Sequence, residues 1–120
     1  MQKHISYYVI GAAMEVHRHL GTGFQEVIYQ RSLAIEMQSQ NIQFVREFEM
    51  PVKYKQHEVG IRRVDFLVGD KLMVEIKAIK MLEDVHLAQA KNYLEAYGLR
   101  DGLLINFGAQ SLEYKRLYNH

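Results

Sequence analysis

Ile5, Val9, Ala12, Ala13, Val16 and Leu20 recur at three- and four-residue spacing, which places apolar side chains on one face of a helix from about Ile5 to His19. Gly21 follows as its C-cap. Thr22-Gly23-Phe24-Gln25 has the form of a capping box, Thr followed by Gln, and predicts a second helix starting near Gly23 and running to about Ser39. The apolar residues of that helix (Phe24, Val27, Ile28, Tyr29, Leu33, Ala34, Ile35, Met37) go most of the way round it, which implies burial on more than one side. From Phe44 the period changes to two. Phe44, Phe48, Met50, Val52 and Tyr54 alternate with Val45, Glu47, Glu49, Lys53 and Lys55, the pattern of a half-buried strand. Pro51 has no amide hydrogen to donate and argues for an edge position or a bulge there.

A turn near Gln56-His57 leads to a second strand, about Glu58 to Val68, and Gly69-Asp70 makes the next hairpin turn. The third strand, Leu72 to Ala78, sets Leu72, Val74 and Ile76 on one face and Met73, Glu75 and Lys77 on the other. A helix from about Glu83 to Tyr97 is closed by Gly98. Gly102 to Phe107 is short and almost wholly apolar, as a strand covered on both faces is. A strand–helix–strand step implies a parallel pair with a right-handed crossover. Leu112 to Tyr118 alternates again and is a candidate for a further edge strand. The expected class is α/β: a mixed sheet of four or five strands flanked by helices, in the order ααβββαβ with that further strand at the end.

A chain of 120 residues is one domain's worth, and residues 1–120 are read as a single domain. With 48% hydrophobic and 24% charged residues it is an ordinary folding sequence, not a disordered one. It has no cysteine, so neither a disulfide framework nor a cysteine zinc site exists, and the six histidines show no zinc spacing. The N-terminus lacks the apolar core of a signal peptide and no stretch can span a bilayer, so no membrane role and a cytoplasmic location are expected. The net charge is +1, too small for a protein that coats nucleic acid through a global positive field. A phosphate-bearing ligand has to be handled by a local group of residues and a metal.

One such group is visible. In a hairpin turning at Gly69-Asp70, Asp65 falls near Glu75, and Lys77 shares the face of Glu75. Two adjacent carboxylates repel each other and bind protons or a divalent cation, and hard oxygen ligands suit Mg²⁺ or Mn²⁺. The alternative is that Glu75 and Lys77 are solvent-facing charges on an exposed sheet face.

Asp65, then Glu75-x-Lys77, on a helix–strand–strand–strand–helix–strand frame resembles the PD-(D/E)xK nuclease superfamily and its restriction-endonuclease-like core. Gly23-Phe24-Gln25-Glu26-Val27-Ile28-Tyr29 matches the motif of the small bacterial GxxExxY family within it. Arg63 to Val68, Val74 to Ala78, Gln89 to Leu94 and Gly102 to Gly108 are similar to that family's blocks, so the resemblance runs from about Ile5 to Phe107. Val64 stands where the superfamily's name carries Pro.

The resemblance implies a Mg²⁺- or Mn²⁺-dependent phosphodiesterase acting on DNA, or on RNA. In it Asp65 and Glu75 are metal ligands joined by the backbone carbonyl of Ile76, and Lys77 holds the attacking water and stabilises charge on the phosphate. Glu26 completes the metal site as an acidic residue does in exonuclease branches, or else simply favours the positive end of its helix. Gln89 and Tyr93, at i and i+4 on one helix face, resemble a pair that contacts nucleic acid or the lysine in bacterial helicase–nuclease machines. The plainer alternatives are a Gln89 capping a backbone group and a Tyr93 in the core. Arg63, beside Arg62, is a candidate phosphate contact or an exposed strand arginine, His86 borders the site or lies on the helix surface, and Tyr29 packs or hydrogen-bonds near the active face. A function of a different class is a catalytically silent nuclease-fold module that binds nucleic acid or protein. The small size and near-neutral charge leave room for a homodimer or a protein partner.

Overall fold

The computed structural model describes residues 3–119. Met1, Gln2 and His120, which the single-domain expectation includes, lie outside the described residues. Two helices, α1 (Ile5–Leu20) and α2 (Glu26–Ser39), precede three strands, β1 (Phe44–Tyr54), β2 (His57–Val68) and β3 (Leu72–Lys77). Then come α3 (Asp84–Ala96), β4 (Asp101–Asn106) and β5 (Glu113–Tyr118). The five strands form one sheet in chain order, antiparallel except for the β3–β4 pair, which is parallel. The α3 crossover is what makes that pair parallel, as the strand–helix–strand step predicts. Gly69 and Asp70 both take positive φ, 58° and 60°, the tight turn that lets β2 fold directly onto β3. Among the described residues, no helix is long and apolar enough to cross a membrane.

α1 and α2 cover one face of the sheet. Val9, Ala12, Ala13 and Val16 of α1 and Tyr29, Leu33 and Met37 of α2 pack there on Phe66, Val74, Ile76, Ile105 and Phe107. A smaller cluster on the other side, Met50, Val64, Leu67, Met73 and Leu94, lies with α3. β3 is therefore buried on both faces up to Ile76, and the chemistry-bearing Glu75 is buried with it.

The structure corrects three expectations. The second helix begins at Glu26, not near Gly23, and its N-cap Gln25 makes no side-chain capping bond. Gly23 has φ of 106°, outside the helical region, so the proposed capping box at Thr22 cannot form. The Tyr29 hydroxyl holds the loop instead, donating to the Gly21 carbonyl at 2.6 Å and accepting from the Phe24 amide at 3.3 Å. Burial of α2 on several sides is also not found. It buries one stripe, and Ile35 stays 69% exposed. Finally, the alternating apolar residues of β1 do not share one face. Phe44 packs toward α1 and α2, while Phe48 and Met50 belong to the α3 side. The switch falls at Glu47, whose φ of 54° breaks the β1–β2 pairing between Arg46 and Phe48. β1 is an edge strand with a register shift just after Pro51, which answers both readings of that proline.

Candidate active site

The site sits where two strands part. β2 and β3 pair only at Phe66–Val74, Leu67–Met73 and Val68–Leu72, and beyond Phe66 they diverge. The next residue of β2 is Asp65, level with the Glu47 irregularity. Its carboxylate takes over from the ladder: Oδ2 accepts from the backbone N–H of Ile76 at 2.8 Å, and Oδ1 accepts from Nε2 of Gln30 at 2.7 Å. Asp65 is thus fixed from both sides. Gln30 itself is buried on α2, one turn after Glu26, so the two share a helix face.

Glu75 is 4% exposed and has a different environment. Its Oε2 accepts from Nη2 of Arg62 at 2.8 Å, while Oε1 is buried without a partner. Burial pushes its carboxyl up to about 7, helped by the charge of Asp65 and opposed by Arg62 and Lys77. Lys77 ends β3, and its charge acts on both Glu75 and Glu26. Glu26, at the first turn of α2, is solvent-exposed, yet desolvation raises its carboxyl above the usual range; Lys77 and Arg62 oppose that and Asp65 adds to it. Asp65 and Lys77 therefore act by charge on both Glu26 and Glu75.

The Lys77 end of β3 is buttressed from behind. Phe107 N–H donates to the Lys77 carbonyl at 2.8 Å. Fully buried Asn106 accepts through Oδ1 from the amides of Ile79 and Gly108, and donates through Nδ2 to Glu113, which also accepts from Leu82 N–H. A Cβ at Gly108 would run into the backbone of Ile79, so only glycine lets these two loops lie together.

The remaining candidates are placed differently. Tyr93 lies under the Arg62 guanidinium, 4.5 Å from ring centroid to Cζ, and stacks on Tyr97. Gln89 is exposed one turn ahead of Tyr93 and makes no side-chain hydrogen bond among the described residues. Arg63 is exposed and pairs with Glu47 and Glu49 on β1. Arg62, not Arg63, is the arginine that reaches Glu75. His86 accepts from the Glu83 amide and so caps α3. Tyr29 stacks on Phe107 at 4.8 Å and serves the loop before α2. Gln30 and Arg62 are the residues that the sequence reading underuses. The signal for Gln30 is its i+4 spacing from Glu26; nothing in the local sequence separates Arg62 from Arg63.

Among the described residues, no three His, Asp or Glu side chains are gathered as a ready metal cage, and Arg62 engages one oxygen of Glu75. The donors nonetheless fit a hard divalent cation. Glu75 Oε1 and Gln30 Oε1 are buried oxygens without partners, and the Asp65 carboxylate lies next to both residues.

The fold is that of a nuclease-fold protein. The crystal structure of SSO0001 matches with a TM-score of 0.53 at 13% identity, covering 99% of this chain and 80% of that one. This likeness establishes a restriction-endonuclease-like fold. A family model, the PD-(D/E)XK nuclease superfamily, matches residues 3–117, and the chain belongs to that superfamily. No curated protein matches the sequence.

Proposed function

We propose that the protein is a metal-dependent nuclease that hydrolyses phosphodiester bonds in DNA, or in RNA, as a cytoplasmic member of the GxxExxY branch of its superfamily. The observation that carries this reading is the buried, unpartnered Glu75 Oε1 beside a fully anchored Asp65, with Lys77 on the same strand face. A buried carboxylate oxygen without a donor is costly, and a site that regularly receives a cation accounts for its retention. Asp65, Glu75, the Ile76 carbonyl and Glu26 would hold Mg²⁺ or Mn²⁺. The cation supplies charge that neutralises the phosphate in the transition state and makes the attacking water more acidic.

The chain's own residues do the rest. Lys77 donates to the attacking water and to the phosphate oxygen on which charge grows. Water adds to phosphorus and gives up a proton to solvent, the bridging P–O bond breaks, and the released alkoxide takes a proton from solvent. Asp65 keeps its place because Ile76 and Gln30 hold both of its oxygens. Gly23, Glu26 and Tyr29 each have a task consistent with the GxxExxY spacing: a positive-φ turn, a carboxylate at the site, and a hydroxyl that ties the turn down. Gln89 on the exposed side of α3 and half-buried Tyr93 beneath Arg62, with Arg63 further out, would meet the nucleic acid, and a second copy or a protein partner would enlarge that surface.

The test is cleavage of end-labelled single- and double-stranded DNA and RNA by purified protein with Mn²⁺ or Mg²⁺, against chelator and against Lys77→Ala. Metal-dependent cutting that disappears in a folded Lys77→Ala variant supports the reading. Equal cutting by Lys77→Ala overturns it.

A further inference from the structure

The Arg62–Glu75 ion pair occupies a carboxylate oxygen that a cation between Asp65 and Glu75 would compete for. Arg62 lies on the part of β2 that pairs with β1 alone, after the β2–β3 ladder has ended. It is held by two things: the 2.8 Å contact to Glu75 and the face of Tyr93 at 4.5 Å. Its side chain is still 32% exposed, and its Nε is buried without a partner. The Tyr97 hydroxyl behind Tyr93 is also unpartnered. A permanent structural salt bridge at this depth would be expected to satisfy its polar atoms. This one leaves Glu75 Oε1 and Arg62 Nε without partners, which fits a pairing that can be exchanged.

A divalent cation competes for the Glu75 carboxylate and repels the guanidinium. A phosphate entering the same opening attracts it. We propose that Arg62 is an exchangeable latch: it neutralises Glu75 while the site is empty of cation, and cation binding releases it to hold a nucleic-acid phosphate beside Lys77. Arg62 is thus a positioning residue for the metal and a phosphate ligand for the substrate, and Tyr93 is the platform from which it moves. The inference rests on Asp65 and Glu75 being cation ligands. Because metal frees the group that binds phosphate, metal and nucleic acid must strengthen each other's binding by the same factor.

Calorimetric titration of the full chain with Mn²⁺ tests the first half. Removing the competing charge makes Arg62→Gln bind Mn²⁺ on the order of tenfold more tightly than wild type. A residue that merely supports the fold would give weaker binding. Fluorescence anisotropy of a short oligonucleotide tests the second half, in the Lys77→Ala background so that the strand stays whole. Mn²⁺ should tighten oligonucleotide binding when Arg62 is present, and most of that gain should vanish when Arg62→Gln is added. If wild type binds Mn²⁺ and Arg62→Gln binds it equally or less tightly, the latch is overturned while the nuclease reading stands. If neither binds Mn²⁺, both are overturned. If circular dichroism shows that Arg62→Gln does not fold, Tyr93→Leu takes its place. Loss of the ring loosens the latch and should tighten Mn²⁺ binding about threefold; no change overturns the proposal.

Discussion

Among the described residues, fifteen buried side chains join α1 and α2 to one face of the sheet, whereas the α3 side gathers five and leaves Arg62, Glu75, Tyr93 and Tyr97 among them. The first face is closed and largely apolar. The second is open, because β2 and β3 separate after three paired residues. The difference divides labour within one sheet. The closed face holds the strands firmly, and that firmness lets the other face keep costly groups: a buried carboxylate, an arginine with a bare nitrogen, a tyrosine hydroxyl without a partner.

The contrast breaks most visibly through the closed face. Phe66 is fully buried and meets Phe44 edge-on at 5.3 Å. Phe66→Ala should cost about 3–5 kcal/mol, the usual range for such a cavity. Tyr93→Ala, at a half-buried position on the open face, should cost about 1–2 kcal/mol. Urea unfolding of the two variants measures both, and equal losses would erase the distinction between the faces.

Lys77→Ala reverses the pattern. It should lower kcat by roughly 10²–10³, as removal of one preorganised charge or donor in a reaction site does, while stability changes by less than about 1 kcal/mol. Single-turnover cleavage and a thermal melt of the same preparation check the two halves together.

The open face should also make stability depend on pH. The Glu75 carboxyl is raised by burial first, to about 7. The folded protein then holds a proton that the unfolded chain has released, so stability falls as pH rises from the ordinary carboxylate value to about 7, and levels off above it. A rise of this size is worth on the order of 3 kcal/mol at most. Glu75→Gln should remove most of this decline in chelator. Melts from pH 4.5 to 8 measure it, and an unchanged slope in the variant would place the titration elsewhere.

Much of this arrangement was legible in the chain. Periodicity found every helix and strand, because most of them bury a regular stripe or face, and the Gly69-Asp70 turn brought Asp65 level with Glu75. What escaped came from distant contacts and local backbone strain. The positive φ of Glu47 reverses the faces of β1, and glutamate carries no sequence signal for that conformation. The start of α2 was misjudged because Tyr29, not Thr22, secures it, and a hydroxyl reaching back to Gly21 is a tertiary bond. Arg62 and Arg63 look alike in sequence; only the splaying of β2 from β3 decides that Arg62 meets Glu75 and Arg63 meets Glu47 and Glu49.

Asp65→Asn gives the smallest effect and the finest test of how the two faces meet. Asp65 spends one oxygen on the Ile76 amide and the other on Gln30. Asparagine keeps one acceptor, which can stay with Ile76, and turns an NH₂ toward Gln30. Gln30 can answer by rotating its own amide, because its Oε1 is buried and has no partner. Both bonds then survive. The lost charge relieves repulsion on Glu75 and Glu26 but also removes attraction to Lys77, so in chelator at pH 7 the net change should stay within about 1 kcal/mol. Two further readouts follow. The charge of Asp65 contributes to the raised Glu75 carboxyl, so the pH-dependent decline should shrink and shift to lower pH in the variant. Wild type should gain ~1.4 kcal/mol with Mn²⁺ at ten times its dissociation constant, and Asp65→Asn should lose most of that gain. In the double variant Asp65→Asn with Gln30→Leu, the rotated amide is gone, and stability should drop by about 1–3 kcal/mol below Asp65→Asn alone. Thermal melts of the single and double variants, with and without Mn²⁺, decide it. A double variant as stable as Asp65→Asn would mean that Gln30 is not the hinge between the helix face and the metal face.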